Sequence, residues 1–491
     1  MRTRVALLAL LLCQSISLAA VNPSHELMTF LTSSEIDGRE AGTPEAARVA
    51  DTLAVLLQRA GVRPAGDDGY FQYVVVEAPR VDSAKTRVQF YFGGKETQAA
   101  LGDGLFFFPR QGRTQILTAP VMLGGYGIVA PEFGREDYEA ENAKGKFLVL
   151  FLGAPRDSMF LPGSPGFRYT LSPVKTRIAQ ESGALGVFFV EATGDSGRLQ
   201  REVRAKQEGY DPKILQLPGT QAFPVLYLDT RYSQQLLGNQ GNNEEERTAT
   251  LTLSFEMAKP CTLRNVVGVV QGTDTELTRD YILAGAHYDH LGRRGETYFP
   301  GADDNASGVV ALLAVAQATA LHPLPRSVIF AFFDGEEKGL LGSKYLANHP
   351  PLDAHIQTML NLDEVGRKPN GPPPMGSPVK IESSELTVFY SSQAPWIQKD
   401  LEGIAAQESL KVTWEAYPTF HEFSDHAPFH AKKIPVLFFF DGAYGDSNSS
   451  QDTPDKIDWG LLARRAQFVF DCVKALGKRS ERDGWVDVGG N

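Results

Sequence analysis

The stretch Ala286-His287-Tyr288-Asp289-His290 follows an apolar run, Tyr281-Ile282-Leu283-Ala284, that reads as a buried strand. Further strand-like runs end in acids. Val328 to Phe333 leads into Asp334-Gly335-Glu336-Glu337, and Thr358 to Leu362 leads into Asp363. Between them lies a glycine-flanked loop, Gly301-Ala302-Asp303-Asp304-Asn305-Ala306-Ser307-Gly308. In an open α/β sheet the carboxyl ends of strands are where ligands bind. A histidine and several acids gathered at one such edge repel one another unless a cation holds them. The donors are imidazole and carboxylate, and zinc is the metal they suit.

Each residue also has a plainer reading. Alone, His287 is a surface histidine at a strand end. Asp289 changes that, because a ligating imidazole needs a partner on its other ring nitrogen, and Asp289 takes that supporting role. Asp303 and Asp304 could simply form an Asx turn, with Asn305 or Ser307 capping the next helix. Capping needs one such residue, whereas this loop has two acids besides. Glu336 and Glu337 could complement a helix dipole. Adjacent carboxylates also suit a division of labour, one on metal and one on protons. Asp363 stands out only through its company, and Glu364 has no assigned role. His421, His426 and His430 crowd one loop of a chain with nine histidines. His426, beside Asp425, is the candidate for a hydrogen bond to substrate.

The elements that must position these residues alternate strand and helix from about residue 255. Val309 to Leu321 reads as a buried helix, as do Lys338 to Asn348, Ala394 to Ser409 and Trp459 to Leu476. Val412 to Tyr417 and Ile434 to Phe440 read as strands. That order implies an α/β fold, a mostly parallel sheet with helices on both faces. Before it, His25 to Leu31 and Pro44 to Ala60 read as helices, the second with Thr43 as N-cap and Gly61 as stop. Tyr70 to Val76 and Thr86 to Phe92 read as strands. Residues 119–250 contain no histidine and no acid cluster with ligand spacing, and read as a separate β-rich module.

The length, 491 residues, calls for two domains. With 42% apolar and 22% charged residues the composition is globular, and a net charge of -11 argues against a nucleic-acid partner. Residues 1–20 read as a signal peptide: Arg2 and Arg4, an apolar core Val5 to Leu12, and small residues at Ser17-Leu18-Ala19-Ala20. The apolar core is too short for a stable membrane anchor. An exported protein, periplasmic or extracellular, is expected. Cys261 and Cys472 lie beyond the leader, and two unpaired thiols are favoured over a disulfide.

Together, His287-Tyr288-Asp289, Gly301 to Gly308, Asp334-Gly335-Glu336-Glu337, Gly339-Leu340-Leu341-Gly342-Ser343 and Asn361-Leu362-Asp363 resemble, in order and spacing, the zinc aminopeptidases of metallopeptidase family 28. The resemblance covers nearly all of the chain after the leader. It implies the zinc-exopeptidase fold, with a discontinuous catalytic domain at 21–118 and 251–478. Residues 119–250 resemble an inserted protease-associated domain, through Gly125-Tyr126-Gly127-Ile128 and Gly145-Lys146. That domain would gate or bind substrate, and 479–491 would be a tail. Carried over, His287 and Asp363 hold one zinc, Glu337 helps hold another, and Asp304 bridges both. Glu336 is the general base, the Asp304–Asn305 peptide is cis, and the substrate is a peptide with a free N-terminus.

One position departs from the family. Its fifth ligand is a histidine near Asp-Thr-Pro-Asp. Here Asp446-Ser447-Asn448 precedes Asp452-Thr453-Pro454-Asp455, and Asn448 stands in the histidine's place. An amide oxygen is a poor zinc donor. The resemblance therefore implies one tight ion and a second, weaker site, with Asp446 or a histidine of 421–430 as substitute ligands. A single-zinc acyl-transfer enzyme like the glutaminyl cyclases, or a catalytically silent binding protein on the same fold, are the competing readings.

Overall fold

The computed structural model describes residues 21–92, 94–162, 164–192, 197–209, 212–238, 247–277, 279–368, 385–417, 423–442, 446–479 and 485–486. Residues 1–20, His421 and most of 479–491 lie outside them. The described chain forms two compact units, one of 75–261 and one of the residues before and after it.

The first and last parts of the chain build a mixed sheet. Its centre is Ser327–Phe333, Asp280–His287, His355–Leu362 and Val436–Phe440, side by side and parallel. Phe255–Val270 and Leu386–Ser391 flank them antiparallel. Every residue of Asp280–His287 and Ser327–Phe333 is buried, as expected of parallel strands covered on both faces. Parallel register has a direct consequence. His287 pairs with Phe333, and Gly285 with Asn361. The residues that follow each strand end, including Glu336, Glu337 and Asp363, therefore emerge at the same edge as His287.

The helix Gly308–Leu321 is apolar on all sides and buried along nearly its whole length, so it is a core helix. It starts directly after the Asp303–Asp304 loop. The N-terminal helices occupy His25–Leu31 and Pro44–Arg59, and Thr43 caps the second by accepting from the Ala46 N–H at 3.2 Å. The helix expected over Lys338 to Asn348 is shorter, Leu341–Asn348, because Leu340 before it is left-handed at φ 60°. Cys261 and Cys472 are not joined in a disulfide.

The other unit corrects the expected domain boundaries. It begins at 75 and ends at 261, where the sequence reading placed 119 and 250. The reason is a closed eight-stranded barrel among the described residues, which recruits Arg87–Phe92, Lys95–Leu101 and Gly104–Phe107. Val88, Phe90, Leu105, Phe188 and Leu251 fill it. The strand Thr86 to Phe92, assigned to the catalytic part, thus belongs to this barrel.

One close approach ties the core helix to the site. A Cβ on Gly308 would lie 2.3 Å from Asn305 Oδ1 and 2.5 Å from the Leu362 carbonyl. Gly308→Ala is expected to destabilise the fold by about 1–3 kcal/mol through overpacking. Urea unfolding checks this, and an unchanged midpoint would show that the helix start is not packed as tightly as described.

Candidate metal centre

Alternation at the end of Asp280–His287 sends Tyr288 into the core and leaves His287 and Asp289 on the other side. His287 Nε2 lies 3.1 Å from Asp363 Oδ1 and 3.4 Å from Asp304 Oδ1. Its Nδ1 meets the Asp289 main-chain carbonyl at 3.2 Å, with Asp289 Oδ1 farther off at 3.7 Å. Asp289 therefore orients His287 first through its backbone. Its carboxylate does a second job, accepting from the N–H groups of Glu336 (3.0 Å) and Glu337 (3.3 Å). Asp363 is oriented in turn by Ser424, whose hydroxyl donates to Oδ2 at 2.6 Å.

The Asp303–Asp304 loop is held from several sides. Asp452 accepts from the N–H groups of Asp303 (2.9 Å) and Asp304 (3.0 Å). Arg39, wholly buried, donates to the carbonyls of Pro300, Gly301 (2.6 Å) and Asp304 (3.2 Å). Asn305 donates to the Leu362 carbonyl at 2.8 Å and accepts from the Gly308 N–H at 2.9 Å. The Asp304–Asn305 peptide is cis. Asp452 and Arg39 have no role in the sequence reading.

Two groups of metal-ligating type result among the described residues, and they share Asp304. One is His287, Asp304 and Asp363, and the other His290, Asp304 and Glu337; in each, one donor atom per residue lies within 4.8 Å of the others. His290 is the member that the sequence reading missed. Its Nδ1 is 2.7 Å from Glu337 Oε1 and 3.8 Å from Asp304 Oδ2.

Other expected residues stand elsewhere. Asn448 is exposed, at φ 59°. Asp446 is engaged by Arg367 (2.9 Å) and Lys456 (2.8 Å). His430 Nδ1 is 3.0 Å from Ser391 Oγ. His426, expected to face substrate, is wholly buried, with its ring stacked on Phe438 at 4.5 Å between centroids. Burial lowers its pKa to about 3, so the ring is neutral. Its Nδ1 lies 3.4 Å from Asn361 Nδ2, so its contacts in this structure are with Phe438 and Asn361. Glu364 is half-buried at the same edge and accepts from the Ser447 hydroxyl.

The charges at this edge are in tension. Burial opposes the His287 imidazolium, yet the carboxylates of Asp363, Glu336 and Asp304 outweigh it and hold the pKa well above the ordinary value. Burial, then Glu337, raises Asp304 well above the carboxyl range. Burial, then the nearby acids Glu337, Asp425 and Asp363, does the same to Glu336, against the pull of His287. Asp363 is lowered despite burial, because His287 and Ser424 favour its charged form. This is the behaviour of an acid cluster short of positive charge, and one divalent cation would relieve it.

A pH dependence follows. Burial raises Asp289 and Asp452 to about 6 and Asp425 to about 7, from an ordinary 3.8. Folded carboxyls with raised pKa hold protons more tightly than the unfolded chain. Their contribution to stability is present below 3.8 and is lost as pH rises through about 6 to 7. The chelated protein is therefore expected to lose thermal stability between about pH 4 and about pH 7. Zinc should raise the melting temperature more at about pH 7 than at about pH 5. A melting temperature that climbs across this window in chelator contradicts the assignment.

Residues 265–473 match the family model described as "Peptidase family M28". A "Probable zinc metalloprotease" of Pyrenophora teres f. teres is 35% identical over 111 residues, 22% of this chain and 23% of that protein. The "Probable lipoprotein aminopeptidase LpqL" of Mycobacterium tuberculosis is 29% identical over 271 residues, 49% of this chain and 50% of that one. The chain thus spans half or less of the length of these two relatives. Among solved structures, an aminopeptidase from Aneurinibacillus sp. strain AM-1 is similar with a TM-score of 0.53 at 20% identity, over 93% of this chain and 94% of that one. At that identity the likeness is one of fold. The stretch 265–473 is thus similar to the peptidases of family M28.

Proposed function

We propose that the chain is an exported, zinc-dependent aminopeptidase that removes N-terminal residues from peptides. The observation that carries this reading is the buried group of His287, Asp304 and Asp363, with Glu336 close enough for its charge to couple to His287 and Asp363. One imidazole and two carboxylates, backed by Asp289 and Ser424, are a donor set that fits zinc. The names of the related proteins, a zinc metalloprotease and an aminopeptidase, support the same activity. On this reading residues 1–20 are a signal peptide that exports the protein. The barrel is a protease-associated domain that gates or binds substrate.

Zinc held by His287, Asp304 and Asp363 would supply Lewis acidity, polarising a carbonyl and making water acidic near neutral pH. Glu336 is the general base. Its carboxylate takes a proton from the attacking water and delivers it to the departing amine nitrogen. Asp289 fixes where Glu336 stands by accepting from its N–H. The acids at this edge, Glu364 among them, favour a substrate with a positive α-ammonium, which restricts cleavage to the N-terminal bond.

Glu336→Gln keeps the hydrogen-bonding shape and removes the base. With aminoacyl chromogenic amides, kcat is expected to fall by about 10²–10⁴-fold or more, with zinc content unchanged. An N-acetylated substrate should not be cleaved. Wild-type turnover by the glutamine variant, or equal cleavage of the acetylated substrate, contradicts this function.

A further inference from the structure

Asp304 divides its two oxygens between two imidazoles. Oδ1 lies 3.4 Å from His287 Nε2, and Oδ2 lies 3.8 Å from His290 Nδ1. His287 and His290 leave the same strand end three residues apart, yet they meet Asp304 from different sides. The first has Asp363 as its further partner, and the second has Glu337. A carboxylate whose oxygens face two separate nitrogen–carboxylate pairs is arranged as a bridge between two ions. We propose that His290 is the imidazole ligand of a second metal ion, held with Asp304 and Glu337, and that it supplies the nitrogen donor missing at Asn448.

This inference rests on the hydrolase reading and adds to it a ligand set that the sequence resemblance does not contain. Four observations carry it. His290 is wholly buried, and its Nδ1 is the ring atom that meets both carboxylates. Its Nε2 has no hydrogen-bond partner among the described residues, so the acidic side of the ring is where its polar contacts lie. The ring is fixed in place: the His290 N–H donates to the Arg39 carbonyl at 3.2 Å, and a Cβ on Gly301 would fall 2.5 Å from His290 Cδ2. The substitutes that the sequence offered are used elsewhere. Asn448 is exposed, Asp446 is paired with Arg367 and Lys456, His426 is stacked on Phe438, and His430 meets Ser391.

The plainer alternative is that His290 only hydrogen-bonds Glu337, which the 2.7 Å contact would also allow. Metal binding separates the two. The purified full-length chain, with His290→Ala and His290→Gln variants, is stripped and titrated with zinc in equilibrium dialysis. Cobalt(II) absorption reports the donor set, and circular dichroism checks folding. The glutamine variant preserves bulk and polarity should the alanine variant not fold. The wild type is expected to bind two ions. Both variants should keep the first ion and bind the second more weakly by over 100-fold, beyond the roughly 10–100-fold that loss of a merely supporting partner costs. Variants that bind two ions with wild-type affinity overturn the inference, as does a wild type that binds only one; both leave the hydrolase reading intact. A wild type that binds no ion removes the hydrolase reading and this inference together.

Discussion

Like charge gathered out of water is the constraint on which this site depends. Two carboxylates about 4 Å apart repel by roughly 4 kcal/mol at an effective dielectric constant near 20. Asp304, Glu336, Glu337 and Asp363 share one strand edge, with Asp289 and Asp425 behind them. The nearby fixed cations do not neutralise them directly. Arg39 directs its nitrogens to main-chain carbonyls, and Lys338 pairs with Glu40 at 2.9 Å. A fold that assembles such a cluster in its interior is built around a divalent cation, since raised carboxyl pKa values alone leave it under strain at neutral pH.

The sheet makes that assembly possible. Parallel strands deliver their ends to one edge, so residues far apart in sequence meet without long loops. The glycine-flanked loop then sets Asp304 between the His287 and His290 side chains. Asp452 and Arg39 bind its main chain, not its carboxylates, which leaves the acid oxygens of Asp304 facing the imidazoles. The same economy appears at Asp289, which orients His287 with a carbonyl and the two glutamates with a carboxylate.

Much of this was legible in the sequence for a physical reason. Fully buried parallel strands must be apolar runs, and an acid directly after such a run has few structural uses. Glu337 and Asp363 stood out in that way, His287 by ending such a run, and Asp304 as one of two acids in a glycine-flanked loop. His290 did not, because its partners depend on a loop path set by Arg39 and Gly301, which no periodicity encodes. His426 stood out for a different reason. Clustered histidines suggested contact with substrate, and in this structure the ring meets Phe438 and Asn361. The barrel boundary was missed because Lys95–Leu101 is largely polar and half exposed, and lacks the alternation that marks a strand. Closure of the barrel, a long-range constraint, recruits it regardless.

The central claim is that His287, Asp304 and Asp363 converge to grip a divalent ion. A crystal of the zinc-loaded protein, measured on either side of the zinc absorption edge, tests it most directly. The account predicts an anomalous peak enclosed by those three side chains. A folded protein grown in zinc, with no peak there, would contradict it.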